Sequence, residues 1–140
     1  MNNLLTKKIT ISLIIFVTGI LIAIVILFSH SMSDMCKNYI HQVNLSPDEK
    51  YKAVVFQRDC GATTEFNTQI SIVGANNELD NDSGNIYVIE GPPEKVAPAV
   101  IWQSNSKLVL KCALSGSEFK AVSEWGWFKK IQITYLENLE

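Results

Sequence analysis

The chain has 140 residues, of which 12 are Lys or Arg and 14 are Asp or Glu, for a formal net charge of −2. That near balance leaves no basic footprint for nucleic acid and no reason for the polar part to seek an anionic lipid surface. Three cysteines without a close histidine make a poor zinc site, and no cofactor is expected.

In chain order, the first stretch is unlike the rest. Ile9 to Phe28 is a run of 20 residues without a charge, long enough to cross the hydrocarbon core of a bilayer as a helix. Lys7 and Lys8 precede it, and no acidic residue appears before Asp34. By the positive-inside tendency, residues 1–8 stay in the cytoplasm, 9–28 span the membrane, 29–35 link, and 36–140 form one extracytoplasmic domain. The expected location is the cell membrane, single-pass. A cleaved signal peptide competes, with Ser31 and Ser33 as the small residues before the cut, and would yield a secreted β protein. The run exceeds the apolar core of a signal peptide, roughly 7–15 residues, so an uncleaved anchor is the reading taken. Met35 stands where a lipid-bearing cysteine at 36 would need a small residue. Residues 34–140 hold all 14 acidic and 10 of the 12 basic residues, which leaves that part of the chain at −4.

Within that domain, Tyr39 to Leu45 predicts a weak first strand. Ser46-Pro47-Asp48-Glu49 has turn chemistry, because Pro47 presets φ and the short polar side chains bond nearby backbone. Lys50 to Arg58 follows as a strand. Its centre, Ala53-Val54-Val55-Phe56, is apolar at both parities, which places it inside a sheet with both faces covered. Cys60-Gly61 ends it, and residues 62–65 read as a polar crossover. Phe66, Thr68, Ile70 and Ile72 alternate with Asn67, Gln69 and Ser71, the pattern of a strand with one buried face.

Gly74 to Asn85 is turn-rich and is not expected to be ordered by burial. Ile86 to Ile89 resumes strand character before Gly91-Pro92-Pro93 stops it. Pro98 demotes the run Val96 to Trp102 to an edge or bulged strand. Val100 and Trp102, a polar loop, then Leu108 and Leu110 make the clearest hairpin. Ile131, Ile133 and Tyr135 predict a terminal strand. With six or seven strands and no amphipathic helix outside the anchor, the fold class is all-β. The architecture expected is a small antiparallel meander, either a sandwich or a partly closed barrel.

Three cysteines allow three single pairings in a compartment where disulfides persist. Cys112 shares a strand face with Leu108 and Leu110 and reads as a buried core thiol. Cys36 and Cys60 stand where ordered structure begins and ends, so they form the pair we favour.

Arg58-Asp59-Cys60-Gly61-Ala62-Thr63-Thr64 is the most unusual string. Arg58, Asp59, Thr63 and Thr64 are candidate partner-binding residues; the plainer reading is a disulfide-closed turn that satisfies its own backbone. Trp125, Trp127 and Phe128, followed by Lys129 and Lys130, form either an exposed aromatic loop or a plug at one end of the core. Glu78, Asp80, Asp82 and Asn85 offer oxygen ligands but lack the spacing of an EF-hand loop, so no metal is assigned. A catalytic cysteine would need a base, and His41 is the one histidine well inside the domain.

The segment SPDEKYKAVVFQRDCGATTEFNTQISI, with GNIYVIEG and VIWQSNSKLVLK after it, resembles a family of small, uncharacterised bacterial envelope proteins, membrane-anchored or lipoprotein-like. The likeness runs from about Cys36 to Tyr135, and RDCGATT is its most specific part. It implies an extracytoplasmic β domain behind an anchor, with Cys36 matching an early family cysteine that would partner Cys60. Glu49 stands where the family often has glycine, which implies a turn without a glycine-only φ. The family lends no activity.

The function expected is that of a non-enzymatic envelope protein, anchored in the membrane, whose β domain binds an envelope protein or a cell-wall component. An immunity or inhibitor role is its sharpest form. The alternative is a carboxylate-dependent cell-wall hydrolase with a pair drawn from Asp59, Glu65, Glu118 and Glu124, which would have to face one another across a cleft.

Overall fold

The computed structural model describes residues 2–33, 36–61, 66–128 and 130–137. The chain divides into two compact units, Met1–Met35 and Cys36–Glu140.

The first unit is helix α1 (Asn2–Ser33). Its segment Thr6–Leu27, 22 residues, is long and apolar enough to cross a membrane. Two of its hydroxyls are already spent: Thr10 donates to the Thr6 carbonyl and Thr18 to the Ile14 carbonyl. Such bonds to the preceding turn remove polar groups that hydrocarbon would leave unpaired.

The second unit is all-β, with a single short helix among its described residues. Strands β1 (Lys37–Leu45), β2 (Tyr51–Asp59), β3 (Asn67–Gly74) and β4 (Tyr87–Glu90) precede the one-turn helix α2 (Pro93–Val96), and β5 (Ala99–Ser104) and β6 (Lys107–Lys111) follow it. The short pairings β7 (Lys120–Ala121) and β8 (Glu124–Trp125) then lead into β9 (Ile131–Tyr135). These strands form two sheets, ordered β1-β2-β3-β4-β7 and β5-β6-β9-β8. The sheets pack as a sandwich and do not close into a barrel.

The core lies between the sheets. Ala53 and Val55 of β2 and Ile70 and Ile72 of β3 meet Val100, Leu108, Leu110, Ile131 and Ile133. On the other parity of β2, Val54 and Phe56 are also fully buried. The strand therefore lies inside its sheet with both faces covered, as its unbroken apolar centre requires. On one side the sheets are joined by Trp102, whose indole N–H donates to the Asn44 carbonyl at 3.0 Å.

Several expectations are corrected. The second sheet is not purely antiparallel, because β6 and β9 pair in parallel. A parallel pair needs a long crossover, and the 112–130 connection supplies it, visiting the first sheet through β7 against β4 on the way. β3 has both faces buried, Gln69 and Ser71 included. What covers its outer face is the 75–85 segment, which is ordered after all. Ser83 donates to Gln69 Oε1 and the Asn85 N–H to Ser71 Oγ, both at 3.1 Å, and the Gly84 N–H also reaches Gln69 Oε1. The Asn85 side chain accepts from the Ile72 N–H and donates to the Ile72 carbonyl, each at 2.8 Å, so it stands in for a neighbouring strand. Composition marks this segment as solvated, but buried polar groups on β3 require partners and the segment provides them.

Glu49 adopts φ 54°, the left-handed region, so the turn does take a conformation that favours glycine. The surrounding bonds hold it there. Ser46 N–H donates to the Tyr51 carbonyl and Glu49 N–H to the Ser46 carbonyl, both at 2.9 Å, while Asp48 Oδ1 accepts from Ser46 Oγ. Cys112 lies just past β6 and is half-buried, not fully interior.

Candidate functional site

The Arg58 to Gly61 stretch is occupied by its own structure. A disulfide joins Cys36 to Cys60, closing a sequence separation of 24. Asp59 Oδ1 accepts the Gly61 N–H at 2.9 Å, and Gly61 takes φ 102°, so the turn satisfies itself. Arg58 is only 8% exposed. Its guanidinium donates to Asn38 Oδ1 at 2.7 Å and to the Asn81 carbonyl at 3.1 Å, and Asn81 in turn donates to the Cys36 carbonyl at 2.8 Å. Burial lowers the Arg58 pKa, and the charge of Asp82 opposes that shift. Arg58 therefore fastens the 75–85 segment to the strand ends. Thr63 and Thr64 lie outside the described residues.

The other chemical candidates disperse. Among the described residues no three His, Cys, Asp or Glu side chains are placed to hold a metal ion. The carbonyls of Asp80 and Asp82 accept the Asn38 amide, each at 3.0 Å. His41 lies 3.8 Å from Glu94 across an exposed surface. The free thiol of Cys112 sits 4.0 Å from the Tyr87 hydroxyl, and burial raises its pKa. Glu118 accepts the N–H groups of Ser115 and Gly116, at 2.9 and 3.0 Å, which lower its pKa. Of the four carboxylates considered for a hydrolytic pair, Asp59 and Glu118 are each committed to their own turns. Glu65 lies outside the described residues, and Glu124 is in β8.

The aromatic loop splits in two. Trp125 is half-buried, its ring edge-to-face with Tyr51 at a centroid distance of 5.6 Å. Trp127 and Phe128 are 85% and 92% exposed. Gly126 at φ 90° and Phe128 at φ 62° turn the chain so that both rings leave the core. Tyr51 begins β2 and Cys60 follows its end, so the loop belongs to the opposite end of the sheet, roughly 26 Å away at the rise of a strand.

Beside Trp125 opens a cleft of about 610 Å³, walled by Tyr51, Trp125, Asn77, Glu78 and Asp80. The sequence reading missed it as a unit. In the sequence Glu78 and Asp80 read as oxygen ligands alone, and nothing local links Tyr51 to Trp125 across more than seventy residues. A second hollow of about 350 Å³ lies between β1 and the 75–85 segment, lined by Asn38, Ile40, Val43, Lys52, Glu78 and Leu79.

A model described as "Family of unknown function (DUF5412)" matches residues 5–114. The chain belongs to this family. The DUF5412 match takes in most of α1, both bridged cysteines and strands β1 to β6, and stops ahead of β7 and the aromatic loop. Neither the curated proteins nor the solved structures contain a match.

Proposed function

We propose that the protein is a non-enzymatic, membrane-anchored module of the bacterial envelope. Its β domain binds a protein or cell-wall partner outside the cytoplasm, and an immunity or inhibitor role is the sharpest version. The observation that carries the reading is the display of Trp127 and Phe128. Two large rings are held in solvent by left-handed backbone at Gly126 and Phe128. Exposed aromatics of this kind anchor protein interfaces, where Trp and Tyr dominate binding energy. The anchor assignment draws on the 22-residue apolar segment behind Lys7 and Lys8 and on a disulfide, which persists in oxidising compartments.

Two measurements test it. First, a cysteine placed at the exposed Asn105 turn, N105C, is expected to react with a membrane-impermeant thiol reagent on intact cells above the wild-type background; labelling only after lysis refutes the topology. Second, the tagged full-length chain, crosslinked in cells, is expected to retain a specific partner that the double variant W127S/F128S loses. Recovery of nothing specific, or of the same set from both chains, removes the binding role.

A further inference from the structure

We infer that the cleft between Tyr51, Trp125 and the 77–80 segment binds an organic primary ammonium of the lysine side-chain type. This goes beyond the aromatic tip and stands whichever side of a membrane the domain occupies.

The inference rests on three features of one cavity. Its volume, about 610 Å³, lies in the range of small-molecule sites and leaves room for a side chain of this kind. One wall is aromatic: Tyr51 and Trp125 meet edge to face, and neither ring is fully buried. A cation beside such rings is drawn to their negative faces, and its methylene stem covers apolar surface. Opposite it, the 77–80 segment brings Glu78 and Asp80, both exposed, into the lining of the cleft. Neither forms an ion pair among the described residues, where the pairs found are His41 with Glu94 and Lys50 with Asp48. An ammonium brings three donors and a compact charge, which matches two acceptor-only groups. A neutral sugar would use the aromatic wall but gain nothing from the two charges.

The segment that carries the carboxylates is well fixed. The Asn77 N–H donates to the Gly74 carbonyl at 3.0 Å. The Asn77 amide lies directly over Gly74, where an added Cβ would come within 3.2 Å of it. Asp80 is held through its main-chain carbonyl by Asn38, which leaves its side chain out of that bond. The cleft is thus preformed, which reduces the ordering cost of binding.

The test uses the full-length chain in detergent micelles, followed by the indole N–H resonance of Trp125, which W125F assigns. The probes are N-acetyl-lysine N-methylamide, its uncharged counterpart N-acetyl-norleucine N-methylamide, and an N-acetylglucosamine tetramer. Saturable shifts are expected with the lysine probe alone. The double variant E78Q/D80N alters only exposed side chains, and it is expected to weaken that binding about tenfold, the worth of two exposed charge contacts. Equal binding of the norleucine probe, an undiminished affinity in E78Q/D80N, binding of the tetramer alone, or no shift with any probe each overturns the proposal.

Discussion

Glu49 shows how a single backbone angle can be hidden from composition. A residue with a Cβ in the left-handed region loses roughly 1 kcal/mol relative to an unstrained conformation, yet the bonds around Ser46 and Asp48 hold Glu49 at φ 54°. Replacing it by glycine, E49G, is expected to raise stability by up to about 1 kcal/mol, since glycine takes this angle without strain. Urea denaturation checks this, with the midpoint moving upward. Gly84 presents the opposite constraint. A Cβ there would come within 2.9 Å of the Tyr87 carbonyl and of Gln69 Cβ. G84A is therefore expected to lower stability by about 1–3 kcal/mol through overpacking, and to loosen amide protection in the 75–85 segment.

At the scale of elements, the 75–85 segment and the Cys36–Cys60 bridge work on the same edge. Arg58 and Asn81 tie the segment to the point where β1 begins, and the disulfide ties that point to the end of β2. Closing a loop of 24 residues in the unfolded chain is worth about 3 kcal/mol in the chain-entropy model. The variant C36S/C60S is expected to lose about that much stability and to melt at a visibly lower temperature, while Cys112 stays unreactive because it is half-buried with a raised pKa. Equal melting temperatures for the two chains would contradict the role given to the bridge. The two-residue strands β7 and β8 had no period to announce them. They exist because the crossover between β6 and β9 brushes the edges of both sheets.

For the whole molecule, the sandwich couples its stability to alkaline pH. Burial pushes Tyr135 up to about 12 from an ordinary 10.0 and raises Tyr87 further, with the Cys112 charge adding to both. In the unfolded chain these phenols ionise near their ordinary value, so above it the unfolded state releases protons that the folded state keeps. Their contribution is complete below pH 10 and is lost as pH rises through 12. The expected outcome is a fall in melting temperature that begins near pH 10, with Tyr87 and Tyr135 ionising together with unfolding. Ultraviolet titration read beside circular dichroism follows both events, and free ionisation of all four tyrosines in a folded domain would contradict it.

The long apolar run, the two-faced burial of β2, the β5–β6 hairpin and the all-β class were legible in the chain because each depends on local periodicity. A residue's neighbours in sequence are enough to state which of its faces meets water. The parallel pairing of β9 with β6, the ordering of the 75–85 segment, the left-handed Glu49 and the Tyr51–Trp125 cleft were decided only in three dimensions. Each arises from groups far apart in the chain, and no local pattern encodes which buried polar atom will find which partner. Hydrogen-bond satisfaction and the meeting of sheet edges are properties of the packed whole.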